Sequence, residues 1–236
     1  MWRRALLLTL ALTAPAAAQE EPDPDNRRRE RERLVDEHIV AAGISDPATL
    51  AALRSVPRHE FVPAREQPYA YEDIPLPIGH GQTISQPAVV AMMTELVRPR
   101  PGMRVLEVGT GSGYQAAVLA ATGARVWTIE IFEALAKEAS ARLARLGYTN
   151  VVVRHGDGYA GWPDEAPFDA IVVTAAADSI PPALLDQLAP GGRLVMPVGE
   201  QSRTQALVLV EKDRTGKLSS RELLPVRFVP LLRGIR

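Results

Sequence analysis

The chain of 236 residues contains no cysteine, which is compatible with an oxidising compartment but does not establish one. Its formal net charge is −1, and its charges are mixed along the chain, so nucleic acid is not indicated as a partner. No apolar run reaches the roughly 20 residues that a membrane-spanning helix needs. The four histidines lack the spacing of a metal motif such as H-E-x-x-H, and we predict no bound metal.

The chain does have enough apolar residues, 46% of the total, to bury one sizeable core. We predict one domain over residues 34–236, and we expect it to be monomeric. Residues 19–33 are rich in Glu, Arg, Asp and Pro, which is typical of a solvated, charged linker. Asp46-Pro47 predicts a capped helix that continues to about Val56.

The N-terminus has the pattern of a secretory signal peptide. A basic start with Arg3 and Arg4 precedes the apolar stretch Ala5 to Ala14, and small residues from Ala16 to Ala18 offer a cleavage site. Residues 1–18 are therefore predicted to direct export, which would place the mature protein in the periplasm or outside the cell, not in a membrane. The alternative is a start codon assigned too far upstream of a cytoplasmic protein.

A glycine-rich turn is the most informative motif. An apolar run leads through Glu107 into Gly109-Thr110-Gly111-Ser112-Gly113, and a helix of small residues follows. The dinucleotide fingerprint needs glycine at its sixth position, where this chain has Tyr114, so a pyrophosphate site is disfavoured. The G-x-G-x-G pattern with its preceding acid resembles the first motif of class I S-adenosylmethionine (SAM) methyltransferases. A tight turn without a ligand is the alternative.

Two acids follow later strands of the same predicted sheet. The β-rich segment Arg125–Glu130 ends in an acid about 20 residues beyond the glycines, the spacing of a ribose-binding carboxylate. Asp157, between two glycines, comes soon after another predicted strand, where it could accept a hydrogen bond from an adenine amino group. The alternatives are a solvated strand end for Glu130 and a plain Asp-Gly turn for Asp157.

The predicted fold is α/β, with a doubly wound, mostly parallel, Rossmann-like sheet and a small helical region on its N-terminal side. Gln205–Val210 and Leu223–Val229 have the composition of strands, and no helix separates them. They therefore predict an antiparallel strand pair at the edge of the sheet.

Several long segments resemble protein-L-isoaspartate O-methyltransferases. The segment Gly156–Ile171, GDGYAGWPDEAPFDAI, is similar to one signature of that family, and Ile78–Pro87, IGHGQTISQP, is similar to a second. The resemblance continues through Thr174–Gly199 and ends in Arg227–Leu231, in the order that the family shows.

This resemblance implies a SAM-dependent enzyme that methylates the free α-carboxylate of L-isoaspartyl residues in damaged proteins and peptides. The methyl ester then closes to a succinimide, which starts repair. The resemblance places the active-site serine at Ser85, although the local sequence alone fits a cap for the helix that begins at Pro87 equally well. It also suggests that Val229 and His80 contact the substrate, whereas His80 could equally be a loop residue without a role.

The remaining expected site residues bind the cofactor. They are Thr83, Glu107, Gly109, Gly111, Gly113, Glu130, Asp157 and Gly158. We expect the glycines to hold the methionine end, Glu130 the ribose, and Asp157 with Gly158 the adenine.

Two other functions stay open from the sequence. One is SAM-dependent methylation of another carboxylate or a small molecule, which would use the same cofactor residues. The other is non-catalytic binding of damaged protein, against which the intact cofactor motifs argue.

Overall fold

The computed structural model describes residues 24–234, so the predicted signal peptide lies outside the described part of the chain. The α-helices in this part are α1 (Pro24–Leu34), α2 (Pro47–Ser55), α3 (Pro87–Val97), α4 (Tyr114–Ala121), α5 (Glu133–Arg145) and α6 (Pro182–Asp186). None of the helices between residues 24 and 234 combines the length and the apolar character needed to cross a membrane.

Helix α1 begins at Pro24, inside the segment predicted to be a solvated linker, so that prediction was wrong for residues 24–33. The charges that suggested solvation instead attach the helix to the domain. Arg27 is buried and donates to the carbonyl oxygen of Gln67 at 3.1 Å. Arg31 Nε donates to the carbonyl oxygen of Arg54 at 2.5 Å. Long basic side chains can bury their apolar stems in this way while their charged ends find acceptors.

The main sheet has seven strands in the spatial order β5-β4-β3-β6-β7-β8-β9. These strands are β3 (Arg104–Val108), β4 (Arg125–Glu130), β5 (Val151–His155), β6 (Phe168–Val173), β7 (Leu188–Val198), β8 (Gln205–Lys212) and β9 (Leu218–Val226). The first five strands in this order, β5, β4, β3, β6 and β7, are parallel to one another. Strands β8 and β9 are antiparallel additions at one edge. The predicted fold class and edge pair are therefore confirmed, although β9 begins and ends earlier than predicted.

Strand β3 occupies the centre of the parallel region, and both of its faces are covered. Its register pairs Leu106 with Ile171 of β6, and all four of its last residues are buried. The chain runs from β3 to β4 on one side and reaches β6 on the other. The carboxyl ends of β3 and β6 thus form a topological switch point, where open α/β sheets bind their ligands.

A small antiparallel hairpin lies above this switch point. It consists of β1 (Leu76–Gly79) and β2 (Gln82–Ile84), in a stretch that lacked clear periodicity in sequence. Helix α3 follows directly, with Pro87 at its first turn as predicted. The cap predicted for α2 is also present, since Asp46 accepts a hydrogen bond from the Thr49 N–H at 2.8 Å. Residues of β2 and α3 line one side of the crevice.

Candidate active site

A cleft of about 740 Å³, which includes solvent at its mouth, opens at the carboxyl ends of β3, β4 and β6. Its walls come from the glycine turn after β3, the end of β4, the turn before α3, and the C-terminal segment at residues 229–232. Most of the predicted cofactor residues line this cleft, whereas Gly113 and Asp157 do not; the residues that do are Thr83, Glu107, Gly109, Gly111, Glu130 and Gly158.

The glycine turn needs its glycines for two reasons. Gly109 has a φ of +99°, and a Cβ there would collide with Thr174 Oγ1. Thr174 is held in place because its hydroxyl donates to the Gly109 carbonyl oxygen at 2.6 Å. Gly111 has a φ of +53°, a conformation that L-residues with a side chain rarely adopt. The backbone of the turn therefore lies close to the cleft, where it can contact a ligand.

Glu130 fastens the glycine turn to the end of β4. One of its oxygens accepts from the Gly111 N–H at 2.7 Å, and the other accepts from the Phe132 N–H at 3.0 Å. Its side chain lines the cleft and is 4% exposed. A carboxylate can accept about four hydrogen bonds, so each oxygen of Glu130 keeps a free acceptor site for a diol.

Glu107 lies beneath the turn and is fully buried. Burial raises its pKa to about 8, and the neighbouring charge of Glu130 acts in the same direction. The Thr128 hydroxyl donates to one of its oxygens, while the other, Oε1, has no hydrogen-bond partner among residues 24–234. This orphaned oxygen marks a site where a ligand can supply a hydrogen-bond partner.

The described residues that line the cleft include Glu107 and Glu130 but no Lys, Arg or His. SAM carries a sulfonium and an ammonium group, so the carboxylate of Glu130 in a cleft without a basic neighbour fits its charge. Because Gly109, Gly111 and Glu130 also lie at the cleft, the residues present fit this cofactor.

Gly158 lines the cleft, but Asp157 does not. One oxygen of Asp157 accepts from the Tyr159 N–H at 2.9 Å, and the other accepts from the Gly234 N–H at 3.2 Å. Asp157 thus connects its turn to the C-terminal segment. Gly158 must be glycine because a Cβ there would collide with Val108 Cγ1.

Ser85 stands between the cleft and a second, open cavity of about 1,290 Å³, a volume that also includes solvent at its mouth. Thr83, Thr174 and Val229 also line both spaces. The Ser85 hydroxyl makes no hydrogen bond to the described residues, and it does not cap α3. That cap comes from a distant side chain, since Asp73 Oδ1 accepts from the Ala88 N–H at 2.8 Å. The hydroxyl of Ser85 is therefore available to a substrate.

His80 is less central than expected. It occupies the exposed tip of the β1–β2 hairpin with a φ of +52°. Its ring centroid lies 5.8 Å from that of Phe132, which lines the cleft, but His80 itself does not. The structure thus places His80 at the rim.

Two residues directly after Glu130 also line the cleft, although no sequence motif singled them out. They are Ile131 and Phe132, which the end of β4 carries into the same crevice. Their position immediately after the acid was a usable signal. Asp73 and Gln86 were missed as well, because nothing in the local sequence links them.

The comparisons with known proteins agree with this geometry. The family model described as Protein-L-isoaspartate(D-aspartate) O-methyltransferase (PCMT) matches residues 29–235. The chain belongs to this family. The Protein-L-isoaspartate O-methyltransferase 1 of Cupriavidus necator is 60% identical over 187 residues, which cover 79% of this chain and 72% of the relative. A second relative, Protein-L-isoaspartate O-methyltransferase 2 of Syntrophobacter fumaroxidans, is 61% identical over 189 residues, covering 80% of this chain and 76% of the relative.

Solved structures of this family share the fold. A protein-L-isoaspartate O-methyltransferase superposes with a TM-score of 0.77 at 35% identity, over 85% of this chain and 65% of that one. A putative protein-L-isoaspartate O-methyltransferase from Plasmodium falciparum, solved in complex with S-adenosyl-L-homocysteine, gives a TM-score of 0.76 at 28% identity. It covers 86% of this chain and 99% of that one. The resemblance found in the sequence, the fold class and the use of SAM are confirmed.

Proposed function

We propose that this chain transfers the methyl group of SAM to the free α-carboxylate of L-isoaspartyl residues in damaged proteins and peptides, which starts their repair through a succinimide. The observation that carries the proposal is the position of Ser85. Its unpartnered hydroxyl stands where an acidic, cofactor-sized cleft meets a second cavity large enough for a peptide segment. Family membership over residues 29–235 supports the same activity.

SAM supplies a methyl group that is already activated on a sulfonium, with a neutral leaving group. For its binding we propose the backbone of Gly109, Gly111 and Gly113 at the methionine end and the carboxylate of Glu130 at the ribose. The buried oxygen of Glu107 and the side chain of Thr83 complete that side of the cleft.

The adenine end requires a modified assignment. Gly158 lines the cleft and can lie against the ring, whereas Asp157 is already engaged by the Tyr159 and Gly234 N–H groups. Because each carboxylate oxygen can accept a further bond, Asp157 keeps the capacity to accept from the adenine amino group at the edge of the site.

The acceptor needs positioning more than activation. A peptide carboxylate has an ordinary pKa of about 3.5–4 and is ionised at neutral pH, so no general base is required. Ser85 donates a hydrogen bond that orients the carboxylate, and Val229 forms part of the wall on which the substrate lies. Holding two reactants in line can supply about 7–11 kcal/mol in favourable cases.

A matched pair of peptides tests the activity. One contains L-isoaspartate and the other L-aspartate at the same position, and both are incubated with the full chain and methyl-labelled SAM. We expect label on the isoaspartyl peptide alone. Bound SAM without transfer to either peptide would indicate a different acceptor, and failure to bind SAM would favour a non-catalytic binder.

Export remains a proposal of its own. Residues 1–18 have a basic start, an apolar stretch and a small-residue site before Gln19, which supports export of a monomeric domain to the periplasm or the medium. N-terminal sequencing of the protein from fractionated cells tests the export directly. Light scattering, which measures the mass in solution, tests whether the domain is monomeric. An intact Met1 in the cytoplasmic fraction would favour the cytoplasmic alternative.

A further inference from the structure

Asp73 fixes the orientation of a neighbouring side-chain amide. Its Oδ1 accepts from the Ala88 N–H at 2.8 Å, and its Oδ2 accepts from Gln86 Nε2 at 2.8 Å. An ionised carboxylate can only accept hydrogen bonds, so the amide of Gln86 must turn its NH₂ group toward Asp73. The carbonyl oxygen, Oε1, then faces the other way.

A buried cation holds the loop that carries Asp73. Arg58 is fully buried, and it donates to the carbonyl oxygen of Ile74 at 3.2 Å. Burial lowers the pKa of Arg58 to about 10, which leaves it cationic at neutral pH, and Asp73 is one of the groups whose charge acts on it. Asp73 is thus anchored independently of the helix that it caps.

Gln86 lines the second cavity beside Ser85, whereas Asp73, which holds the NH₂ end of its amide, does not. Oε1 makes no hydrogen bond with any residue from 24 to 234. Consecutive residues of the second cavity therefore provide a donor, the Ser85 hydroxyl, and an acceptor, Gln86 Oε1, and Ser85 also borders the cofactor cleft.

The chemistry of an isoaspartyl residue matches this pair. Its free α-carboxylate and its own backbone N–H are attached to the same carbon, so an acceptor and a donor are one carbon apart. We propose that Gln86 Oε1 accepts a hydrogen bond from this N–H while Ser85 holds the carboxylate, and that Asp73 is a positioning residue that keeps Oε1 aimed at the substrate. The proposal rests on the proposed function and adds a selection for peptides over simple carboxylic acids.

Steady-state kinetics with two isoaspartyl peptides tests it. The second peptide differs from the parent only by a methyl group on the isoaspartyl nitrogen, which removes the donor. With the unaltered enzyme we expect the KM to rise about 3–10-fold on methylation, the range of a neutral hydrogen bond, with kcat nearly unchanged. The Gln86→Ala variant should show the raised KM already with the parent peptide and no further rise with its methylated form.

The variant Asp73→Asn tests the role of orientation. Asparagine still offers an acceptor to the Ala88 N–H, which preserves the cap, but its NH₂ group forces the Gln86 amide to reverse. We expect the KM for the parent peptide to rise as in Gln86→Ala, while SAM affinity by calorimetry stays close to that of the unaltered enzyme. If Asp73→Asn only lowered stability, the variant would still have a higher KM for the isoaspartyl N-methyl peptide than for the parent peptide.

A third peptide, methylated on the nitrogen that follows the isoaspartyl residue, controls for general effects of methylation. Its KM should change equally in the unaltered enzyme and in Gln86→Ala. Equal KM values for the parent and its isoaspartyl N-methyl form in the unaltered enzyme would overturn the proposal. So would undiminished discrimination in either variant. Absence of methylation of every peptide would instead overturn the proposed function, and this inference with it.

Discussion

The two sides of the reaction site are built in different ways. On the cofactor side, Glu107 and Glu130 are buried at the ends of adjacent parallel strands, and their spacing follows from the strand-turn-helix repeat. On the substrate side, Ser85 and Gln86 are half-buried in a turn whose geometry depends on Asp73, a residue of a separate loop. Regular elements place the cofactor residues, whereas single long-range contacts place the substrate residues.

This difference predicts which property a substitution on each side should change. Changes on the cofactor side should affect SAM affinity or the stability of the sheet, because the acids there are part of its core. Changes on the substrate side should affect the peptide kinetics and leave SAM affinity intact.

The largest effect is expected for the buried Glu107. Burial raises its pKa to about 8, so between its unfolded value near 4.5 and pH 8 the folded protein holds a proton that the unfolded chain has lost. Stability therefore falls as the pH rises through this window, by at most about 1.4 kcal/mol per pH unit and about 4 kcal/mol by pH 8. Glu107→Gln should remove this loss.

Urea unfolding of the SAM-free protein at several pH values between 5 and 8 measures the effect of Glu107. The exposed edge-strand variant Glu222→Gln serves as a control, since it should retain the slope of the unaltered protein. Parallel stability curves for Glu107→Gln and the unaltered chain would contradict the prediction and would mean that the cofactor side tolerates a buried charge.

The next largest effect is expected for Glu130→Ala. The change removes the acceptors proposed for the ribose and releases the Gly111 and Phe132 N–H groups that Glu130 now holds. Hydrogen bonds to a charged group contribute about 1.5–3 kcal/mol each, so SAM affinity should fall about 100-fold or more. Calorimetry checks this, with Glu133→Ala, an exposed acid three residues further on, as the control. Unchanged affinity would remove Glu130 from the cofactor site.

Ser85→Ala should reduce kcat/KM for the isoaspartyl peptide by about 10–100-fold, because one hydrogen bond to a charged carboxylate is lost. SAM affinity should not change, which separates this variant from Glu130→Ala. Ser85→Thr keeps the hydroxyl and should retain more activity than Ser85→Ala. A Ser85→Ala enzyme with full rate and unchanged substrate affinity would exclude Ser85 from the mechanism.

The same contrast explains what could be predicted from the sequence. The glycine turn, Glu130 and the parallel sheet are encoded in short contiguous patterns, because a strand end and the next helix start are neighbours in the chain. The cap of α3 by Asp73 joins positions 15 residues apart across a hairpin, and no local pattern carries it. The helical conformation of residues 24–33 was not predicted for a related reason: Arg27 and Arg31 donate hydrogen bonds to carbonyl oxygens that only the folded domain supplies.

The hairpin tip offers the most sensitive test of where the substrate side ends. His80 lies at the rim near Phe132, and its φ of +52° restricts the residues that can replace it. Asparagine tolerates this conformation, so His80→Asn removes the imidazole while preserving the turn. Because a single exposed contact contributes little, the KM for the isoaspartyl peptide should rise less than about threefold, with SAM affinity unchanged. A KM that rises tenfold or more would mean that the substrate side includes the hairpin tip. The long-range contacts around Ser85 would then position only some of the residues that bind the substrate.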